Sequence, residues 1–129
     1  MAVEVNKYIV GLLLALPLIG HAAEDINIDN ARLTLKKWGM AYCLGTFQKS
    51  ETEDEAGYAR GGYFQLGEHA EPAYRNIRSY FNKVIPEDKK VMQATGKTSN
   101  LMRCLDAYEA PAYSKLIIQQ DKFIGAEME

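Results

Sequence analysis

The stretch TSNLMRCLDAY, residues 98–108, contains one of the only two cysteines in this 129-residue chain. Four of its residues recur at positions i, i+3, i+4 and i+7, which is the spacing of one helix face: Leu101, Cys104, Leu105 and Tyr108. The pattern predicts a helix with a buried seam centred on Cys104. The other cysteine, Cys43, lies in a similarly apolar setting, so we expect the two segments to pack against each other.

The first residues have the pattern of a targeting segment, in which a charged flank, a short apolar run over residues 8–20 and small residues follow one another. We predict a secretory signal peptide over residues 1–22, with cleavage after Ala22 or after Ala23. The alternative is a retained membrane anchor, but the apolar run is shorter than the roughly 20 residues of a spanning helix, and Pro17 interrupts it. After cleavage we expect no stable membrane insertion.

Residues 23–129 are enough for a single small domain. The formal net charge of −2 indicates a balanced surface, which argues against nucleic acid as a partner. In an oxidising compartment two cysteines allow one intramolecular pair, so we predict a disulfide between Cys43 and Cys104. Closing a loop of about 60 residues would stabilise the fold by about 4 kcal/mol in the chain-entropy description.

Hydrophobic periodicity predicts about five helices and no useful strand, so the fold class is all-α: a small bundle of about five helices stapled by one disulfide. The first helix is predicted to begin at a cap on Asp29 or Asn30 and to end near Leu44, with Gly45 as its stop. We interpret Trp38 as a core anchor in preference to a ligand-stacking residue.

The second helix is predicted to begin at two overlapping capping boxes, Ser50 with Glu53 and Thr52 with Glu55. The acidic residues there suit the positive end of a helix, and we prefer that interpretation to a metal site. Four residues recur at helical spacing and are predicted to form one face of this helix: Ala56, Ala59, Tyr63 and Leu66. Three glycines lower the stability of the second helix: Gly57, Gly61 and Gly62. They predict either the close approach of another helix, within the monomer or across a dimer, or a kink at Gly61 and Gly62.

Pro72 is predicted to open a third helix that runs to about Ile85, where Pro86 ends it. Its apolar stripe is Tyr74, Ile77, Phe81 and Val84. From Pro86 to Thr98 the apolar period is lost, which predicts a long loop with an optional helical turn at residues 91–94, and loops of this length are often functional.

Ser99 or Thr98 is predicted to cap the helix that carries Cys104. Pro111 is predicted to lie in the first turn of a last helix, and its apolar residues are Tyr113, Leu116, Ile117 and Phe123.

The sequence shows no recognisable set of catalytic residues. After the predicted cleavage the only histidine is His69, which lies in a polar, turn-like stretch. One histidine and a disulfide make neither an activated nucleophile nor a closed zinc site. We therefore predict a non-enzymatic binding protein without a metal or a cofactor.

Three motifs bring the chain close to a known family: WGMAYCLG at residues 38–45, GGYF at residues 61–64 and LMRCLDAY at residues 101–108. Together with the leader they resemble the type VI secretion amidase immunity proteins, in the class that neutralises the fourth family of secreted amidases. The resemblance spans most of residues 23–129. The sequence departs from the family pattern after Tyr108, where Glu-Ala-Pro follows.

The resemblance implies a periplasmic antitoxin that is commonly a homodimer. Its implied partner is a cognate peptidoglycan amidase of papain-like fold, which it inhibits by occluding the active-site cleft. The implied contacts are a protruding loop and a neighbouring helix, matched here to Pro86–Thr98 and to Glu71–Ile85. The loop residues that we predict to contact the amidase are Lys89, Lys90, Gln93, Thr95, Gly96 and Lys97. Those predicted for the contact helix, toward the effector or a dimer partner, are Tyr74, Arg75, Arg78 and Tyr80.

A second hypothesis is a non-enzymatic periplasmic adaptor or envelope assembly factor that binds a partner through the same helices. A neighbouring gene for a cysteine amidase would favour the immunity protein, and an operon for a membrane complex would favour the adaptor.

Overall fold

The computed structural model describes residues 25–48 and 53–126. These residues form five α-helices and no strand, which confirms the all-α class. The helices are α1 (Ile28–Phe47), α2 (Glu53–Gln65), α3 (Glu71–Glu87), α4 (Asn100–Glu109) and α5 (Pro111–Gln119), followed by a short 3-10 helix (Asp121–Phe123). The predicted signal peptide and the capping residues Ser50 and Thr52 lie outside the described residues.

No helix in the described ranges has both the length and the apolar character needed to cross a membrane.

The core is formed by α1, α3 and α5. The largest fully buried side chains other than the cysteines all lie on these three helices: Leu35, Tyr74, Ile77, Phe81 and Tyr113. Trp38 is also buried, and its ring lies edge-on to that of Tyr74 with centroids 5.0 Å apart. The prediction that Trp38 anchors the core is therefore confirmed.

Helix α1 begins and ends outside its predicted limits. Its cap is Asn27, whose side-chain oxygen accepts a hydrogen bond from the Asn30 amide at 3.0 Å, so the prediction of Asp29 or Asn30 was wrong. The helix also continues through Gly45 to Phe47. Gly45 serves packing instead of ending the helix, because a Cβ there would lie only 3.3 Å from the Cβ of Ala56 on α2.

Helix α2 is more exposed than its predicted stripe implied. Ala56 is buried, but Leu66 lies beyond the helix and is 69% exposed. The helix runs without a break through Gly61 and Gly62. Cβ atoms added at these glycines would meet nothing within 4 Å, so among the described residues no other helix approaches them closely, and the predicted kink is absent as well.

Helix α3 follows its predicted stripe, with Val84 half-buried and the other three residues buried. It ends at Glu87, two residues later than predicted. Pro86 lies in the last turn, where it has no amide hydrogen to donate to the carbonyl of Asn82, and the helix stops one residue further on. The chain leaves the helix at Asp88, whose amide donates to the carbonyl of Val84 at 3.1 Å.

Helix α4 is rotated relative to the predicted seam. Cys104 is fully buried, but Leu101 and Leu105 are each 46% exposed, and the second buried residue is Ala107. The line from Cys104 to Ala107 faces the core because the disulfide to Cys43 fixes the orientation of this short helix. Helical spacing thus predicted the helix correctly, but of its buried face it predicted Cys104 and not Ala107.

Helix α5 buries Tyr113 and Ile117, as predicted. Phe123 is not part of this helix and lies in the 3-10 helix that follows. The carbonyl of Phe123 accepts a hydrogen bond from the Ala70 amide at 2.8 Å, which ties the end of the described chain to the start of α3.

Candidate functional site

The candidate site is the segment between α3 and α4, residues 88–99, which we call the 88–99 loop. Every residue from 91 to 98 is exposed. The loop ends at Ser99, whose side-chain oxygen accepts a hydrogen bond from the Met102 amide at 3.2 Å and so caps α4, as the sequence predicted. A long polar connection between two helices is thus displayed at the surface.

The outer part of the loop is held in one shape by its own backbone hydrogen bonds. The carbonyl of Met92 accepts from the amides of Thr95 at 3.3 Å and Gly96 at 2.7 Å, and the amide of Met92 donates to the carbonyl of Lys97 at 2.9 Å. Gly96 has φ +65°, the left-handed region that glycine adopts without strain. The optional helical turn at residues 91–94 is therefore replaced by a hydrogen-bonded turn at residues 93–95.

The base of the loop is attached to both flanking helices. The Lys89 ammonium donates to the carbonyl of Pro86 at 2.7 Å, and the Lys90 amide donates to the Asp88 carboxylate at 2.9 Å. The Lys90 ammonium also lies 3.4 Å from the carboxylate of Asp106 on α4. An exposed pair of this kind stabilises little by itself, but it links the loop to the outer side of α4.

The six predicted loop contacts all lie on this exposed segment: Lys89, Lys90, Gln93, Thr95, Gly96 and Lys97. The Thr95 hydroxyl oxygen already accepts a hydrogen bond from the Lys97 amide at 3.2 Å. Part of the predicted set therefore shapes the loop, and its role in partner contact remains a prediction.

Sequence reasoning missed the apolar side chains beside the loop. A cavity of about 310 Å³ lies between the loop and α4. Val91, Met92 and Met102 line it and are each more than one third exposed. The available signal was the pair Val91–Met92, which interrupts an otherwise polar stretch.

The predicted contact helix is α3, and its four named residues divide into two groups. Tyr74 is only 1% exposed, so its side chain serves the core and has no surface for a partner in this conformation. Tyr80 is half-buried, and its hydroxyl donates to the Ala107 carbonyl at 2.8 Å. Burial raises the pKa of both phenols.

Arg75 and Arg78 are the accessible members of that set. Both pair with the carboxylate of Glu71, at 3.4 Å and 2.8 Å respectively. The guanidinium carbon of Arg78 also lies 6.0 Å from the centroid of the Trp38 ring. These arginines form a charged edge on the exposed side of α3.

Cys43 and Cys104 form a disulfide, as predicted, with a sequence separation of 61. Both residues are fully buried. The bond joins α1 to α4, the helix that follows the loop. The two cysteines therefore support the site without being part of its surface.

A second concave surface, the α1–α2–α4 groove, has a volume of about 580 Å³. Its lining is mainly apolar: Met40, Ala41, Leu44, Ala56, Ala59, Tyr63, Leu105 and Tyr108, with Lys37, Glu55 and Glu109. The Lys37 ammonium lies 5.8 Å from the Tyr63 ring centroid at the edge of this groove. This groove was not predicted, because it exists only where α1, α2 and α4 come together.

His69 does not lie in the polar surroundings that were predicted. It is 7% exposed and bridges Ile124, and neither of its ring nitrogens has a hydrogen-bond partner among the described residues. Burial lowers the pKa of the imidazole, and the nearby Asp121 carboxylate partly opposes this shift. Within the described residues, no group of three or more potential side-chain ligands forms a metal site.

The fold and the site define a disulfide-linked helical domain that displays a shaped loop between two helices. A family model for type VI secretion system (T6SS) amidase immunity proteins, Tai4, matches residues 34–117. The chain belongs to this family. No curated protein and no solved structure matched it. The matched range contains both cysteines, the whole 88–99 loop and helices α2, α3 and α4.

Proposed function

We propose that this chain is a periplasmic immunity protein that binds a type VI secreted peptidoglycan amidase and occludes its active-site cleft. The producing cell and its siblings would thereby be protected. The chain would act by binding alone, without catalysis, a cofactor or nucleic acid. Export through a cleaved signal peptide would place it in the compartment where the amidase meets peptidoglycan.

The observation that carries the proposal is the exposed 88–99 loop with its internal hydrogen bonds. A cleft is blocked sterically by a segment that projects from the surface and keeps its shape. The hydrogen bonds of Met92 with Gly96 and Lys97 give the outer turn a defined conformation before binding. Such preorganisation lowers the entropy lost on association and so favours a tight complex.

The six loop residues named above are proposed contacts, and Val91 and Met92 join them because their apolar surface is available. Apolar side chains at the centre of an interface usually contribute more than exposed lysines at its rim. Arg75 and Arg78 are proposed as a second contact edge on α3. The exposed glycine side of α2 remains a proposed surface for a homodimer.

The test is co-expression. A candidate amidase of papain-like fold is directed to the periplasm with and without the full chain, and lysis is scored. A catalytically inactive amidase provides the control for toxicity unrelated to hydrolysis. The expected result is lysis with the amidase alone and survival with both proteins.

An assay with purified proteins distinguishes the proposal from the adaptor hypothesis. Amidase activity on peptidoglycan is measured against increasing amounts of this protein, and binding is measured in parallel. Inhibition that tracks binding supports occlusion of the cleft. Binding at full amidase activity would contradict inhibition and favour the adaptor.

A further inference from the structure

Among the described residues, α4 buries far fewer large side chains than α1, α3 and α5 do. Helices α1, α3 and α5 bury a continuous set of large side chains, as described above. Helix α4 adds only Cys104 and Ala107 to the buried set. The largest buried side chains of the core, apart from the cysteines, thus come from the other three helices.

Helix α4 is held to that core by its half-buried Tyr108 and by two hydrogen bonds. The Tyr108 ring centroid lies 6.0 Å from that of Tyr113 and 4.5 Å from the Lys36 ammonium. The side-chain amide of Asn100 donates to the Phe47 carbonyl at 2.7 Å, and Tyr80 donates to the Ala107 carbonyl at 2.8 Å. The other large apolar side chains of the helix add little to this attachment, because they are about half exposed: Leu101, Met102 and Leu105. A helix of 10 residues with two fully buried side chains is marginal by itself, so we expect its covalent link to contribute much of its attachment.

The 88–99 loop in turn depends on α4. One end of the loop continues directly into the helix through the Ser99 cap, and Lys90 pairs with Asp106 on its exposed side. If α4 separated from the core, the loop would lose one of its two fixed ends.

We infer that the Cys43–Cys104 bond is a redox switch for the loop. In the dithiol form the α1, α3 and α5 core persists, while α4 and the loop separate from it; oxidation docks α4 and orders the loop. The consequence for inhibition rests on the proposed function: a chain in a reducing compartment would be folded but unable to block an amidase, and it would become competent on oxidation.

The reaction is a thiol–disulfide exchange. One cysteine thiolate attacks a disulfide of an oxidising exchange partner to give a mixed disulfide, and the second cysteine then displaces the partner as a dithiol. The two cysteines lose two electrons and two protons, which the partner's two sulfurs gain. Because both cysteines are fully buried in the docked state, the exchange takes place while α4 is undocked, and docking then protects the bond from reductants.

The test compares the oxidised protein with the double variant Cys43→Ala/Cys104→Ala by amide hydrogen exchange. The expected result is a loss of protection of about tenfold or more in residues 88–109, with protection in α3 retained. The dithiol form of the unmodified chain should behave like the variant, and reoxidation with a small disulfide should restore protection. If α3 loses protection together with α4, or if neither changes, the switch is refuted.

Inhibition is a separate readout. With an amidase that the oxidised protein inhibits, the variant should need about tenfold more protein for half-inhibition, and equal potency would refute the switch. If the oxidised protein inhibits no amidase, the proposed function fails, while hydrogen exchange still decides whether the disulfide controls α4.

Discussion

Gly39 on α1 and Tyr113 on α5 are in such close contact that a Cβ added at position 39 would overlap the Tyr113 hydroxyl. The same atom would lie 2.7 Å from Ile77 and 2.9 Å from Phe81 on α3. The Tyr113 hydroxyl donates to the carbonyl of Lys36 at 3.0 Å, so it cannot move away without losing that bond. The missing side chain at Gly39 therefore sets the spacing of the three core helices.

The substitution Gly39→Ala should destabilise the protein. Overpacking a core usually lowers the free energy of unfolding by about 1–3 kcal/mol, and the higher helix propensity of alanine offsets at most about 1 kcal/mol of this. Chemical denaturation would measure the difference. The matched control is Gly61→Ala, which faces open space on α2 and should be neutral or stabilising by up to about 1 kcal/mol. Equal effects of the two substitutions would contradict the packing argument.

The buried imidazole of His69 should make stability depend on pH. Its pKa in the folded protein is lowered from the ordinary 6.5, mainly by burial. The unfolded chain therefore binds this proton more readily, and the free energy of unfolding should decrease as the pH falls from about 6.5 toward the folded pKa. Unfolding at pH 7.5, 6.5 and 5.5 tests this against His69→Gln, which should show a flatter dependence over that range. Parallel curves for the two proteins would refute it.

The Asp121 carboxylate should affect stability at a lower pH than His69 does. Its pKa lies below the ordinary 3.8, mainly through its hydrogen bonds with Arg32. Its stabilising effect is complete above that value and is lost as the pH falls through the folded pKa. The variant Asp121→Asn should thus have a weaker pH dependence below about 4. Between about pH 5 and 7 its dependence should be somewhat steeper, because the carboxylate no longer opposes the lowered pKa of His69.

The parts of the fold that were predictable are those that follow from local chemistry. The stripe on α3 was correct because a helix packed on one side must bury residues at this period. The Ser99 cap was correct because a serine side chain satisfies a free amide at the start of a helix. The Cys43–Cys104 bond was predicted from the expected export and from the number of cysteines.

The parts that failed depend on distant contacts. The buried face of α4 is set by a disulfide to α1, which periodicity within α4 does not encode. Gly39 was overlooked because its importance comes from Tyr113, which is far away in sequence. The glycines of α2 were noticed, but composition alone does not show whether a glycine faces a neighbour or solvent.

The candidate site was predictable in position and not in detail. Loss of the apolar period located the loop between α3 and α4. Its shape depends on backbone hydrogen bonds from Met92 to Gly96 and Lys97, which no residue pattern specified. The burial of Tyr74, which was named as a contact residue, depends on how α3 faces Trp38.

Removal of the loop should separate inhibition from folding. Deleting Lys89–Lys97 and joining the ends with a short Gly-Ser linker removes exposed residues that contribute little to the core. The helical content should persist, and inhibition of an amidase that the intact protein inhibits should fall by about tenfold or more, because a central contact segment is lost. Circular dichroism and a peptidoglycan hydrolysis assay would measure the two properties. A deletion variant that is folded and fully inhibitory would exclude the loop as the inhibitory element.

Substitutions at Gly96 test whether inhibition depends on the conformation of the 88–99 loop as well as on its composition. Its φ of +65° is strained for most residues, by roughly 1–2 kcal/mol, and more for β-branched side chains, whereas asparagine tolerates this region. Gly96→Val should open the turn at Met92 and weaken inhibition by about three- to tenfold, since the loop would have to be reordered on binding. Gly96→Asn should stay close to the unmodified protein, and both variants should unfold within about 1 kcal/mol of it because the turn is exposed. Titration of amidase activity with the three proteins gives the comparison. If valine and asparagine weaken inhibition equally, any side chain added at position 96 disturbs binding, and the preorganised turn is not required.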